Sequence, residues 1–379
     1  MGNTHPGKQR ATTKLPRDKR PPLTLAKTHW PLSSAESLFL PEFPVKSKAH
    51  EQRFEKVREL CVGTYGRVYL CKERASSEQF AVKELSKALL VKEDAVQQCK
   101  DEVAIQALLS WHPFIVPCTE HWQSKKHLFL VTPYYPCGDL HRIWQALGPF
   151  SEALVQILVA ELALVIDFLH NMGVIYRDIK MENVLLDNQG GQFGHVTSSI
   201  LGFLVVVSVA NRPFLFQGHV QLIDFGFARW LGYSSRATTI CGTMQLMAPE
   251  ILNMQPYGHA VDWWSLGIVT YALLVGHYPI DRSSDHVVMQ RLVMDFNFDL
   301  PSEYSSGARR LVRKLLCKQP QRRLHSLEML KKEPFFSGLD FTEVYEKKIS
   351  PMKLLQAELG HRIGLSDGSR NLEEQRTSA

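Results

Sequence analysis

The chain of 379 residues contains the stretch Tyr176-Arg-Asp-Ile-Lys-Met-Glu-Asn183, which decides how its fold is interpreted. This stretch places an aspartate, a lysine two residues later and an asparagine three residues beyond the lysine. It is followed along the chain by Asp224-Phe-Gly226 and then by Ala248-Pro-Glu250. Carboxylate and amide oxygens are ligands that Mg²⁺ accepts, and a lysine beside them can neutralise a phosphate. Either of the first two strings could arise by chance, whereas all three in this order form a specific signal.

The composition is that of a globular protein, with 45% hydrophobic and 22% charged residues. The net charge of +6 is only mildly basic and does not by itself indicate nucleic-acid binding. The seven cysteines are scattered, without metal-type pairing or a secretory leader, so we expect reduced thiols in a monomeric cytoplasmic protein. No apolar run is expected to reach the roughly 20 residues of a membrane-spanning helix.

Residues 1–53 are rich in proline and in basic side chains, which predicts a disordered N-terminal arm. An alternative is that this arm is attracted to anionic lipid, which would associate the protein peripherally with a membrane. Met1-Gly2-Asn3 resembles the start of an N-myristoylation signal, although Pro6 stands where Ser or Thr is wanted.

Residues 54–336 are predicted to fold as one domain with a strand-rich part followed by a helix-rich part, an α+β arrangement in two lobes. Short alternating runs predict strands within 54–132, and a helix is expected over 93–109 with Val96, Val103 and Ala107 near one face. Within 136–336, long apolar helices are expected over 150–172, ending before Gly173, and over 260–275. The tail, 337–379, is polar and weakly periodic.

Over residues 54–336 these motifs resemble the eukaryotic protein kinases. Finer details resemble the AGC group of serine/threonine kinases: Tyr176 before the Arg-Asp pair, Thr239-Ile-Cys-Gly-Thr243, and Asp262-Trp-Trp-Ser-Leu-Gly267. The resemblance implies a bilobal kinase fold, with a small β-rich lobe and a larger helical lobe. It also implies transfer of the γ-phosphoryl group of ATP to protein Ser or Thr, with Mg²⁺.

The predicted phosphate-covering loop departs from the Gly-x-Gly-x-x-Gly-x-Val pattern, because Cys61 replaces the first glycine. We expect the Cβ of Cys61 to weaken ATP binding without abolishing it. Lys83 would hold the phosphates, the alternative being a surface lysine on an edge strand. Glu102, rather than its neighbour Asp101, is expected to orient Lys83. The expected ATP-binding residues of this lobe are Cys61, Val62, Gly63, Gly66, Val68, Ala81, Lys83 and Glu102.

The resemblance assigns roles to further residues of the nucleotide pocket and the catalytic loop. Val68, Ala81 and Leu185 would sandwich adenine, with Thr132 as gatekeeper and a hinge that ends at Tyr135. Asp178 would accept the proton of the substrate hydroxyl and Lys180 would neutralise the transferring group. Asn183 and Asp224 would hold Mg²⁺.

Substrate recognition and activation are also implied by the resemblance. Thr239 would be an activation-loop phosphosite that is read by Arg177 and modified by an upstream kinase. Thr243 would contact Lys180 and Asp178, and Glu250 would pair with Arg323. Asp139 and Glu182 fall where related kinases bind an arginine of the substrate upstream of the phosphorylated residue. We therefore expect protein substrates with Arg at the third position before the target Ser or Thr.

Three departures from the AGC pattern remain. Met244-Gln-Leu246 replaces the usual Pro-Glu-Tyr. The tail has no Phe-x-x-Phe-[Ser/Thr] segment, so activation is expected to need a partner's segment or none.

Residues 191–218 form an insert with the apolar core 200–210. Two interpretations of the insert are open: it is a docking or membrane element, or it is a translated retained intron. We favour the retained intron, because Pro213-Phe-Leu-Phe-Gln217 is what a splice-acceptor tract would encode.

An active kinase is the favoured function, because Lys83, Asp178, Asn183 and Asp224 are all present. A kinase-fold scaffold without catalysis, or an inactive insert-bearing variant of an active kinase, is the alternative.

Overall fold

The computed structural model describes residues 33–187 and 217–359. Its small lobe is a five-stranded antiparallel sheet in the order β1-β2-β3-β5-β4. The strands are β1 (Phe54–Val62), β2 (Gly66–Glu73), β3 (Gln79–Ser86), β4 (Glu120–Gln123) and β5 (His127–Pro133). Their register sets Val68 opposite Lys83 and Ala81 opposite Thr132, so the side chains expected around the nucleotide come from adjacent strands.

Two helices, α3 (Lys87–Lys92) and α4 (Val96–Leu109), cover the sheet where one helix over 93–109 was expected. They are separated at Asp94, which has a φ of 51°. Val103 lies on the buried face of α4, but Ala107 is exposed, so its predicted place on that face is wrong. The reason is that the buried face also carries polar groups, which hydrophobic periodicity does not detect. The buried residues are Cys99, Glu102, Val103, Ile105, Gln106 and Leu109.

Residues 33–53 are folded onto the small lobe, so the predicted disordered arm is wrong for this part. The chain forms α1 (Ser34–Ser37) and α2 (Lys48–Glu51), and the side chains of Phe39 and Phe43 are fully buried. These two aromatic side chains supply apolar burial that the polar average of the arm concealed. The possible myristoylation signal lies outside the described residues.

The large lobe is helical, with two small two-stranded sheets facing the small lobe. β6 (Val174–Ile175) pairs with β9 (Arg229–Trp230), and β7 (Val184–Leu186) pairs with β8 (Val220–Leu222). The helices are α5 (Leu140–Leu147), α6 (Glu152–Asn171), α7 (Pro249–Leu252), α8 (Ala260–Val275), α9 (His286–Asp295), α10 (Ser306–Leu315), α11 (Leu327–Lys331), α12 (Phe341–Tyr345) and α13, described over 351–359. Together with the small lobe this is the expected bilobal α+β fold.

The two long apolar helices α6 and α8 form the centre of the large lobe. Ser151 caps α6 by accepting a hydrogen bond from Leu154 N, and Gly173 follows the helix with a φ of 73°. α6 is long and apolar enough to span a membrane, contrary to the expectation that no such run exists. However, 72% of its most apolar window is buried inside the protein, as in the core helix of a globular domain.

The tail is more ordered than its polar composition predicts, because Phe341, Val344, Met352 and Leu355 are buried against the large lobe. These four side chains recur at roughly helical spacing over α12 and α13. The insert lies almost wholly outside the described residues, but its flanks meet as an ordinary hairpin in β7 and β8.

Candidate active site between the lobes

A lysine and two carboxylates meet where the lobes face each other. Lys83 Nζ, from β3, lies 2.6 Å from Glu102 Oε1 of α4 and 3.0 Å from Asp224 Oδ1, which follows β8. Asp101 instead accepts a hydrogen bond from Gln97 at 2.8 Å, one turn away on the same helix. The structure therefore brings Glu102, and not Asp101, to Lys83.

The charges of Lys83 and Asp224 favour each other's ionised state. Burial alone would lower the pKa of the Lys83 ammonium, but the carboxylates of Asp224 and Glu102 raise it above its ordinary value. The Lys83 ammonium in turn lowers the pKa of the Asp224 carboxyl. Asp224 is therefore a carboxylate at neutral pH, and its side chain is 45% exposed towards the space between the lobes.

Asp178 is fixed by hydrogen bonds to both of its carboxylate oxygens. Oδ2 accepts from Lys180 Nζ at 2.6 Å and from Asn183 Nδ2 at 2.9 Å. Oδ1 accepts from the backbone N and the hydroxyl of Thr243, both at 3.0 Å. Lys180 also approaches the Thr243 hydroxyl at 3.4 Å. A carboxylate held in this way is oriented as a proton acceptor for a hydroxyl presented beside it.

Asp262, at the start of α8, positions the catalytic loop. Its carboxylate accepts hydrogen bonds from the backbone N of Tyr176 at 2.9 Å and of Arg177 at 2.7 Å. Arg177 has a φ of 70°, a conformation that non-glycine residues adopt only when the surroundings hold it. This role of Asp262 was not predicted from the sequence, although an aspartate in an otherwise apolar helix is a signal for it.

The activation segment is held against the catalytic loop through Thr239. The Arg177 guanidinium donates to the Thr239 hydroxyl at 2.8 Å and to the carbonyl of Phe227 at 2.7 Å. The hydroxyl of Tyr257 donates to the Thr239 carbonyl at 2.6 Å. A phosphate on Thr239 would therefore form next to a guanidinium that is already in place.

Gln98 ties α4 to the Asp224-Phe-Gly226 triplet, since its Nε2 donates to the carbonyl of Gly226 at 2.6 Å. This residue was missed by the sequence analysis, because a glutamine on a helix carries no signal of its own.

The phosphate-covering loop is the turn between β1 and β2. A Cβ at Gly66 would lie 1.9 Å from the carbonyl oxygen of Glu84, so this position admits no side chain. A Cβ at Gly63 would meet no atom nearer than 3.8 Å. Cys61, at the position where a glycine is usual, is exposed and pairs with Val68, directly after an irregularity in the β1–β2 register between Glu59 and Cys61.

The residues expected to form the adenine pocket and hinge lie on and next to β3, β5 and β7. The hydroxyl of Thr132 is 3.5 Å from the carbonyl of Ala81, and Leu185 forms an isolated bridge with Asp139. The hydroxyl of Tyr135 donates to Gln221 at 3.4 Å, and burial raises the pKa of Tyr135 to about 12. Val62, by contrast, is 66% exposed.

Asp139 and Glu182, the two carboxylates expected to bind a substrate arginine, differ in the contacts they make within the protein. Asp139 caps α5 by accepting from Arg142 N at 2.9 Å, and the Arg142 guanidinium lies 3.2 Å from its other oxygen. Glu182 is exposed, and it contributes to raising the pKa of Tyr278, second to burial.

The donor set fits Mg²⁺, since Asp224 and Asn183 supply a carboxylate and an amide, which are hard oxygen ligands. No group of three or more His, Cys, Asp or Glu converges as a metal site in 33–187 or 217–359. Such a sparse protein ligand set suits a cation that also takes ligands from phosphates and water. When bound, ATP supplies the phosphoryl group and Mg²⁺ neutralises its charge.

Comparison with known proteins agrees with this geometry. Residues 54–336 match the family model described as "Protein kinase domain". A ribosomal protein S6 kinase-related protein of Homo sapiens is 37% identical over 82% of this chain and 69% of its own length. A putative serine/threonine-protein kinase of Caenorhabditis elegans is 37% identical over 86% of this chain and 67% of its own length. The RAC serine/threonine-protein kinase of Drosophila melanogaster is 30% identical over 79% of this chain and 45% of its own length.

Proposed function

The chain belongs to the protein kinase family, and from this premise we propose that it is a catalytically active serine/threonine kinase that prefers arginine upstream of its target residue. Its family uses ATP and Mg²⁺. The observation that carries the proposal is the fixed carboxylate of Asp178, with Lys180 and Thr243 bonded to it.

Activity is supported by contacts between the residues as well as by their presence. The Lys83–Glu102 pair joins the two elements of the small lobe that must align over the phosphates, and Asp224 approaches the same ammonium. A protein that had kept the fold only as a scaffold would be under no constraint to preserve this triad together with Asp178 and Asn183. The contacts therefore favour catalysis over the scaffold alternative.

The residues of this chain would divide the reaction between them. Lys83 binds and orients the nucleotide phosphates, and Lys180 places a positive charge next to the group that is transferred. Asp178 accepts the proton of the substrate hydroxyl at its carboxylate. Glu102 and Thr243 act through Lys83 and Asp178, by holding them in position.

Arginine preference follows from the negative charge of Glu182. Its carboxylate is exposed beside the catalytic loop, two residues from Lys180, and can receive a guanidinium from a bound peptide. Asp139 already pairs with Arg142, so a substrate arginine would have to share that carboxylate. We therefore assign the larger part of the preference to Glu182.

The test of activity is transfer of phosphate from ATP to an arginine-containing peptide by the full chain, with Asp224→Asn as the inactive control. A variant lacking the insert, residues 191–218, is measured alongside. Transfer by the full chain that is lost in the control supports an active kinase that tolerates the insert. Transfer by the shortened variant alone would identify this form as an inactive variant, and silence of both after Thr239 phosphorylation would favour the scaffold.

The arginine preference is tested with a peptide library in which the residue three before the target Ser or Thr is varied. Glu182→Gln is expected to reduce the selectivity for Arg about tenfold, the value of one exposed charge-assisted hydrogen bond. Asp139→Asn, which keeps a capping side chain on α5, is expected to reduce it less. A wild-type chain with no preference for upstream basic residues would refute the proposal.

A further inference from the structure

Residues 33–46, called here the N-terminal segment, cross the outer side of the small lobe. Phe39 and Phe43 are both 0% exposed, although they precede the kinase domain in sequence. They belong to a separate apolar cluster between α3, α4 and the sheet. The other buried members of this cluster are Leu85, Leu90, Ala95, Cys99, Val103, Leu128 and Leu130.

Polar contacts fix the backbone of the N-terminal segment on either side of Phe43. Lys100, on α4, donates to the carbonyl of Leu40 at 2.8 Å and lies 2.9 Å from Glu42 Oε2. Gln123, on β4, donates its side-chain amide to the carbonyl of Glu36 at 3.0 Å. Its backbone N donates to Pro44 O at 3.0 Å. The segment is thus attached to a helix and to a strand edge at once.

The same helix carries the residues that align the active site. Cys99 and Val103, which share the cluster with the two phenylalanines, lie on either side of Glu102 in the sequence of α4. Glu102 binds Lys83, and Gln98 binds the backbone of Gly226. Because α4 is rigid over a few turns, a force that seats Cys99 and Val103 also sets the position of the Glu102 carboxylate.

We propose that the N-terminal segment is a built-in positioning element, in which Phe39 and Phe43 fill a socket of the small lobe and hold α4 so that Glu102 reaches Lys83. The socket accordingly recognises a turn that carries two phenylalanines four residues apart, since Phe43 N donates to the Phe39 carbonyl at 2.9 Å and residues 38–42 form turns. The link to catalysis rests on the proposed kinase activity, but the occupancy of the socket and its effect on α4 do not.

Two observations set this element apart from an ordinary part of the core. The five strands of the small lobe close their sheet without it, since it adds only a single bridge, between Val45 and Gln123. The tail does not compete for the socket within the described residues, because Phe341 and Met352 belong to the cluster of the large lobe. The socket therefore has one occupant in the described part of the chain, and that occupant can leave without breaking the sheet.

The first experiment uses the full chain with Phe39→Ala and Phe43→Ala together. Hydrogen exchange is followed in α4 and, as an internal reference, in α8 of the large lobe. We expect α4 to exchange about tenfold faster, exchange in α8 to stay unchanged and peptide phosphorylation to fall about tenfold. Leu108→Ala, which truncates a 56% exposed side chain of α4, is the matched control and should change neither reading.

The second experiment adds a synthetic peptide with the sequence of residues 33–46 to the double variant. The peptide should bind, slow the exchange of α4 and restore phosphorylation, whereas the same peptide with both phenylalanines replaced by alanine should do none of these. A third variant, Lys100→Met, removes only the polar contact with the segment and should accelerate exchange in α4 by a smaller factor.

Two outcomes would overturn the inference: α4 exchange equal to wild type in the double variant, or no effect of the peptide on α4. A merely structural role would instead raise exchange across both lobes and would not be rescued by the peptide. If the wild-type chain phosphorylates nothing, hydrogen exchange and peptide binding still decide the inference, so its failure and that of the kinase proposal are distinguishable.

Discussion

The ammonium of Lys83 donates to the carboxylate of Glu102 at 2.6 Å and thereby joins the central strand of the small lobe to helix α4. The pair is largely withdrawn from water, with the Glu102 side chain only 6% exposed. Burial raises the pKa of the Glu102 carboxyl above its ordinary value, and the attraction of the Lys83 ammonium opposes this effect.

Glu102→Gln should therefore lower kcat/KM for peptide phosphorylation about 10- to 100-fold, the value of a lost charge-assisted hydrogen bond. Asp101→Asn is the control, since it neutralises the neighbouring carboxylate without touching Lys83. Steady-state kinetics with varied ATP measure both variants. An equal loss of kcat/KM in both variants would mean that activity depends on the total charge of α4 and not on the Lys83–Glu102 pair.

The two glycines of the phosphate-covering loop should respond differently to alanine. Gly66→Ala places a Cβ 1.9 Å from the Glu84 carbonyl, so β2 and β3 must separate and the KM for ATP should rise at least about tenfold. The Cβ of Gly63→Ala would make only an ordinary van der Waals contact, 3.8 Å from the Gly66 carbonyl oxygen, and should change the KM less than about threefold. ATP titration of each variant decides this, and a milder effect at Gly66 than at Gly63 would contradict the geometry.

Phosphorylation of Thr239 should increase activity, because the phosphate would pair with the Arg177 guanidinium, which already lies 2.8 Å from the hydroxyl. Thr239→Val keeps the shape of the side chain but cannot be modified, and it should leave only the basal rate. The measurement is peptide phosphorylation before and after treatment with an activating kinase, with the modified site located by mass spectrometry. Full activation of Thr239→Val would place the controlling phosphate elsewhere.

The buried pair of Arg323 and Glu250 should dominate the electrostatic contribution to stability in the large lobe. Arg323 is 0% exposed and makes two hydrogen bonds, of 2.7 and 2.8 Å, to the Glu250 carboxylate. Glu250→Ala would leave a buried guanidinium without its partner and should lower the free energy of unfolding by about 3–5 kcal/mol.

The control for this pair is Lys332→Ala, which removes an exposed i,i+4 partner of Glu328 and should change the free energy of unfolding far less. Urea unfolding followed by circular dichroism compares the two variants. A loss at Glu250 no larger than the loss at Lys332 would show that the buried pair is replaceable.

His112 should make the protein less stable in mild acid. Its ring is buried, its Nδ1 accepts from Phe114 N, and burial with the nearby Lys347 charge lowers its pKa from 6.5 to about 4. The unfolded chain therefore binds one more proton than the folded chain between these two values, so stability is lost as pH falls through this range. His112→Asn, which retains an acceptor for Phe114, should flatten the fall in melting temperature between pH 6.5 and pH 4. An unchanged slope would assign the acid sensitivity to other groups.

The catalytic residues could be named from the sequence because their chemistry depends on fixed local spacing. Asp178, Lys180 and Asn183 lie within six residues, so one loop conformation brings them together whatever the rest of the chain does. Lys83 and Asp224 were named from short motifs of their own. The structure adds the contacts among them, which link residues up to 141 positions apart in the chain.

The sequence by itself determined the kinase family, the two lobes and the residues expected at the catalytic site, since motif spacing and hydrophobic periodicity are local properties. Only the tertiary structure decided that Phe39 and Phe43 belong to the small lobe and that Asp262 and Gln98 support the site. Packing of this kind is a property of two distant segments together. A phenylalanine in a proline-rich arm is buried only if a socket exists to receive it, and that socket is built by α3, α4 and a sheet whose strands are dispersed along the chain.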